Sequence, residues 1–210
     1  MNASILKDLN EEQKKAVSKT SGPMIILAGA GSGKTRVLTY KVLYLIEHLK
    51  ISPDNILMVT FTNKAASEMK ERITKFFGDL LSLPFVSTFH SLCARILRIE
   101  GKYVGFSEKF SIFDTQDQLD AVKEAMKNLN ISTKDFRPQS VLATISQAKN
   151  QLITEGEYKN FARGFFQETV SKVYPVYQKI LKENNALDFD DLILKTIELF
   201  EKNPNIRSKY

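Results

Sequence analysis

The segment Gly29-Ala30-Gly31-Ser32-Gly33-Lys34-Thr35 combines small, flexible residues with one cation and one hydroxyl. Glycines let successive backbone N–H groups turn towards one point without side-chain obstruction, and such a concavity attracts anions. A lysine at the end of the turn can neutralise the outer phosphates of a nucleoside triphosphate, and the next hydroxyl can give one oxygen to Mg²⁺. Ala28 to Thr35 therefore reads as a phosphate loop, with Ala28 where a glycine usually opens the pattern. The alternative is a glycine-rich turn carrying an incidental Gly-Lys-Thr. The flanks decide against it. Met24-Ile25-Ile26-Leu27 is an apolar run expected to form a buried strand. Val37, Leu38, Val42, Leu45, Ile46 and Leu49 fall on one face of a helix expected to begin at Lys34. Such a helix would aim its positive end at the same anion.

Two further loops offer chemistry. Thr60-Phe61-Thr62-Asn63-Lys64 and Thr88-Phe89-His90-Ser91 each set one aromatic ring among hydroxyl and amide groups, directly after an expected strand. Ligands of open α/β sheets sit at the carboxyl ends of strands. Rings for base stacking beside donors for phosphates suit a single-stranded nucleic acid. The simpler alternative has Phe61 and Phe89 in the core and Thr62 or Thr88 capping a helix. An acidic group, Asp188, Asp190 and Asp191, could hold a divalent cation. The simpler account makes Asp188 a helix cap, with its neighbours favouring the positive end, and it is preferred.

The elements that carry these loops fall into two styles. Up to about residue 107, short apolar strands (Ile56-Leu57-Met58-Val59-Thr60 and Phe85-Val86-Ser87-Thr88) alternate with amphipathic helices, which predicts a parallel α/β sheet with crossover helices. From Asp114 onward the pattern is helical. Thr115 to Gln118 has capping-box spacing, and Leu119, Val122, Met126 and Leu129 follow at helical intervals. Ser140 is expected to cap a helix carrying Leu142, Ile145 and Leu152. Another is expected over residues 165–183, kinked at Pro175, and a last one from Asp188 to before Asn203-Pro204. The chain has 210 residues, 43% of them hydrophobic, a single cysteine (Cys93) and a net charge of +6. One cysteine excludes a disulfide framework and suits a reducing compartment, so a cytoplasmic, non-membrane protein is expected. The positive charge suits a polyanionic partner.

Taken together, these motifs resemble superfamily 1 DNA helicases of the UvrD/Rep/PcrA group. Leu9-Asn10-Glu11-Glu12-Gln13 is similar to that family's adenine-reading Q motif, Ala28 to Thr35 to its motif I, Thr60 to Met69 to motif Ia, and Ser87-Thr88-Phe89-His90-Ser91 to motif Ib. Leu187-Asp188-Phe189-Asp190-Asp191-Leu192 resembles the segment that returns the chain from an inserted helical domain. The resemblance implies a P-loop NTPase (RecA-like) parallel sheet with helices on both faces plus an inserted all-helical domain. It implies a first RecA-like domain over residues 1–107, the inserted domain over 108–187 and a return segment over 188–210.

It also implies roles. Gln13 would read adenine, Arg36 would contact the nucleotide, and the loop from Ala28 through Gly29, Ala30, Gly31, Ser32 and Gly33 to Lys34 and Thr35 would hold ATP with Mg²⁺ on Thr35. Phe61, Thr62, Asn63, Thr88, Phe89, His90 and Phe189 would contact single-stranded DNA or single/double-strand junctions. The implied activity is ATP-dependent 3′–5′ DNA unwinding in repair or replication, alongside proteins of those pathways. No apolar strand ending in Asp-Glu follows Thr35, and that pair would be needed to hold Mg²⁺ and activate water. The expectation is therefore an incomplete first RecA-like domain, truncated before that motif, which binds nucleotide weakly and does not unwind alone. Another phosphate-loop enzyme such as a nucleotide kinase, or a non-enzymatic nucleic-acid-binding module, are the alternatives.

Overall fold

The structure, a computed structural model, describes residues 6–29, 31–77 and 83–210. The chain folds as two compact units, Met1–Phe89 and His90–Tyr210.

In the first unit, helix α1 (Glu11–Ser18) is opened by a capping box in which Asn10 and Gln13 satisfy each other's backbone N–H. Helix α2 (Lys34–Glu47) follows the phosphate loop, and strand β1 (Leu57–Thr60), helix α3 (Asn63–Phe77) and strand β2 (Phe85–Thr88) complete the unit. The strands pair in parallel, Leu57 with Phe85 through Thr60 with Thr88. Parallel neighbours need a crossover, and α3 supplies it. Val42, Ile56, Met58, Met69 and Ile73 form the core beneath this pair. A second cluster, Leu9, Val17, Val37 and Tyr40, joins α1 to α2. The Lys41 ammonium reinforces that joint by donating to the carbonyls of Ala16 (3.1 Å) and Lys19, at the end of α1 where helical carbonyls lack partners. Burial lowers the Lys41 pKa.

The expected strand Met24–Leu27 is corrected. These residues belong to no strand ladder among the described residues, and Ile25 and Leu27 are 87% and 92% exposed. Apolar character marks a segment able to be buried between neighbours, but a strand exists only with a partner backbone. Here β1 and β2 pair with each other.

The second unit is almost all helical: α4 (Phe89–Glu100, opening on the last residue of the first unit), α5 (Thr115–Asn128), α6 (Pro138–Asn150), α7 (Phe165–Glu183), α8 (Phe189–Lys202) and α9 (Pro204–Lys209). Strands β3 (Ser111–Ile112) and β4 (Ala186–Leu187) form a short parallel ladder that ties the segment before α5 to the segment before α8. Val122, Met126, Val141, Ile145, Val170, Val173, Tyr174 and Tyr177 build the core of α5, α6 and α7. Ile96, Leu97, Phe110, Leu187, Leu192 and Leu199 build a second core around α4 and α8.

Two local expectations shift, and the helix expected over residues 165–183 is met. The cap of α5 is Asp114, one residue before the expected Thr115. Its carboxylate accepts from the N–H groups of Gln116 and Asp117, and Asp117 accepts from Asp114 N–H in return. Helix α6 begins at Pro138, whose fixed φ suits the first helical position, and Ser140 lies inside it. Its buried face is Val141, Ile145 and Ala148, while Leu152 is 56% exposed beyond its end. Helix α7 runs through Pro175 as one element. The proline lies on the exposed side, and burial of Val173, Tyr174, Tyr177 and Leu181 offsets a cost of about 3 kcal/mol for an interior proline.

Candidate functional site

The phosphate loop closes on the head of α2. Gly31 and Gly33 adopt φ of +74° and +86°, a region costly for residues with a Cβ. The first backward bond of α2 runs from Val37 N–H to Gly33 O at 2.9 Å. Helical geometry thus leaves the N–H groups of Lys34, Thr35 and Arg36 without intrahelical acceptors, and no acidic side chain occupies that turn. The Lys34 ammonium donates to the carbonyls of Ala28 (2.9 Å) and Gly29 (2.8 Å), and Ser32 Oγ donates to Gly29 O at 2.7 Å. The lysine is exposed and Thr35 half-buried. An incoming polyphosphate would replace weak carbonyl acceptors on Lys34 with charged ones, a stronger class of bond. Ala30 lies outside the described residues. Beside Lys34 a cleft of about 450 Å³ is lined by Lys19, Met24, Ile26, Leu38 and Lys41.

Gln13 reaches this loop from α1, whereas the Arg36 guanidinium turns to Asp8 and Tyr40. Gln13 Oε1 accepts from Asn10 N–H and its Nε2 donates to Ser32 O, both at 3.1 Å. A carboxamide has two donor and two acceptor positions, so one of each stays available. Arg36 donates to Asp8 O at 2.8 Å and lies over the Tyr40 ring at 5.4 Å. Sequence spacing alone did not show that Gln13 braces the loop backbone.

The aromatic residues divide between the units. In the first, Phe61 is 90% and Phe89 43% exposed, with ring centroids 5.9 Å apart. That exposure excludes the core alternative for Phe61. Thr62 does cap α3, accepting from Ala65 N–H at 3.1 Å, while Asn63 is exposed and Thr88 buried. In the second unit, His90 and Phe189 meet edge to face at 5.7 Å, and Phe189 is 49% exposed.

The acidic group resolves as a cap with an unexpected partner. Asp188 Oδ1 accepts from Asp191 N–H at 2.8 Å, capping α8. Its Oδ2 accepts from Lys149 Nζ at 2.5 Å and from the Tyr177 hydroxyl at 2.8 Å. Lys149 also pairs with Asp191 at 3.0 Å, and its side chain is 0% exposed. Burial raises the Asp191 pKa to about 6; Lys149 pulls it down, and the Asp188 carboxylate pushes it up. Burial likewise pushes the Tyr177 hydroxyl up. These carboxylates already serve an ammonium, and among the described residues no cluster has metal-site character. The sequence reading missed Lys149. The available signal was a lysine four residues after Ile145, in line with the apolar stripe of α6.

A glycine-rich loop heading a helix, followed by a parallel pair joined through a crossover, has the arrangement of a P-loop fold. Residues 9–210 match the model of the UvrD/REP helicase N-terminal domain, and the chain belongs to that family. Over 210 residues, all of this chain, it is 47% identical to the ATP-dependent DNA helicase PcrA of Staphylococcus aureus, covering 29% of that protein. It is 48% identical over 206 residues to the ATP-dependent DNA helicase PcrA of Bacillus subtilis, 98% of this chain and 28% of that protein. The chain thus spans less than a third of the length of these curated relatives. The resulting fold is mostly helical with small parallel sheets. Among the described residues no helix is long and apolar enough to cross a membrane.

Proposed function

We propose that the chain is the ATP-binding part of an ATP-dependent 3′–5′ DNA helicase acting in repair or replication in the cytoplasm. The phosphate loop at the head of α2, in a chain of the UvrD/REP family, is the observation that carries this reading. In it, Lys34 and the first-turn N–H groups of α2 hold the triphosphate, and Thr35 would give one oxygen to Mg²⁺. Mg²⁺ there would neutralise charge developing on the transferred phosphoryl group. Gln13 reads adenine with its remaining donor and acceptor, and Arg36 braces the nucleotide. Residues 1–107 serve as a RecA-like domain, 108–187 as an inserted helical domain and 188–210 as the return segment.

Phe61, Thr62, Asn63, Thr88 and Phe89 in one unit, and His90 and Phe189 in the other, contact single-stranded DNA or its junctions with duplex. The exposed rings of Phe61 and Phe189 support base stacking. Because Asp188 and Asp191 are engaged by Lys149, neither serves as the carboxylate that activates water. In this reading the 210 residues on their own turn over ATP slowly or not at all.

The test is titration of this chain with ATP and Mg²⁺, and turnover with and without a single-stranded oligonucleotide, each repeated with Lys34→Ala. Saturable binding lost in Lys34→Ala, with negligible turnover, supports the proposal. DNA-stimulated turnover lost in Lys34→Ala would show a catalytic carboxylate already present. Phosphate transfer to a nucleoside monophosphate would point to a kinase. DNA binding without any ATP binding would point to a non-enzymatic module.

A further inference from the structure

We propose that Lys149 is a positioning residue for DNA contact, its buried ammonium clamping the first turn of α8 so that the Phe189 ring stays against His90. This rests on the reading of Phe189 as a DNA contact. Phe189 is the first residue of α8, directly after the cap Asp188 and two before Asp191. Both flanking carboxylates are fixed to Lys149 Nζ, at 2.5 and 3.0 Å, and all three side chains are at most 2% exposed.

The clamp draws on other helices. Lys149 comes from α6. From α7, Tyr177 donates its hydroxyl to Asp188 at 2.8 Å, and Gln178 turns its NH₂ towards both Asp191 oxygens at 3.3 and 3.4 Å. That orientation leaves Gln178 Oε1 buried with no hydrogen-bond partner, so the amide gives up one bond to serve the carboxylate. Lys149 Nζ also lies over the Tyr177 ring at 5.2 Å. Between two immobilised neighbours the half-exposed Phe189 has its backbone fixed, and its ring keeps the edge-to-face contact with His90. A stacking ring held in place loses less freedom when a base arrives, which raises affinity without any new contact.

A double-mutant cycle with a spectroscopic control tests this. The chain has two histidines, so the His90 ring protons can be followed by NMR as reporters of the Phe189 ring current. Affinity for a labelled oligothymidylate is measured in parallel for Phe189→Ala, Lys149→Met and the double variant. Phe189→Ala is expected to move the His90 resonances and weaken binding by about fivefold or more. Lys149→Met should move the same resonances in the same direction and weaken binding, and it should add nothing in the Phe189→Ala background.

His90 resonances that stay put in Lys149→Met while moving in Phe189→Ala, or additive losses of affinity, would overturn the proposal alone. Unchanged affinity in Phe189→Ala would instead remove the DNA reading of Phe189, and the proposal with it. If Lys149→Met does not fold, Tyr177→Phe keeps the packing and deletes one bond to Asp188. It should shift His90 partway, and no shift would count against the clamp.

Discussion

At the scale of single residues, Gly33 and Asp191 yield the sharpest expectations. Gly33 sits at φ +86°, and a Cβ there would come within 2.9 Å of Gln13 Nε2. Gly33→Ala should cost about 1–2 kcal/mol from the left-handed backbone alone. It should also push Gln13 away from Ser32, and thermal unfolding together with ATP titration would register both effects. Asp191 is held by burial at a folded-state pKa of about 6 against an ordinary 3.8. Between those values the folded chain keeps a proton that the unfolded chain has lost. Its contribution to stability is therefore full below the lower value and disappears as pH rises through the upper one. Asp191→Asn should remove that component. The gap between the melting temperatures of wild type and variant, measured from pH 4 to pH 7, is expected to change in that window and level off above it.

At the scale of elements, the caps decide where helices start. Asp114 holds two N–H groups of α5 and receives a bond from Asp117, so Asp114→Ala should cost about 1 kcal/mol of stability, read as a lowered denaturation midpoint. The same elements show what the sequence made legible. Strands β1 and β2 and helices α7 and α8 were readable because apolar spacing and the Asp188 cap are local signals. The exposed state of Met24–Leu27 was not, since pairing depends on a second backbone that no local pattern reports. Likewise, the phosphate loop was visible as residue types, whereas the Gln13 bond to Ser32 and the Lys149 bonds to Asp188 and Asp191 join residues distant in sequence. A lysine in an apolar stripe hints that a carboxylate is waiting, but it does not say which one.

For the molecule as a whole, the DNA-binding proposal and the net charge of +6 predict an affinity for single strands that falls with salt, with a slope set by the number of phosphates its cations neutralise. Stacking releases no counterions. Phe61→Ala should therefore lower affinity at every salt concentration while leaving the slope of log affinity against log salt unchanged, which anisotropy titrations across a salt series would check. The bare run Met24–Leu27 has a separate consequence. From Ser21 to Gly33 the chain carries no charged side chain, and Lys19 and Lys34 bracket this stretch. Within it the β-prone run Met24–Leu27 is short, and Gly22, Pro23 and the glycines from Gly29 onward interrupt it, so the flanking charges are the further guard against self-association. On the phosphate-binding reading, Lys34 then has a second task, as a charged gatekeeper beside the exposed apolar run. Lys34→Ala should scatter more light than wild type at equal concentration, and Ile25→Lys should scatter less.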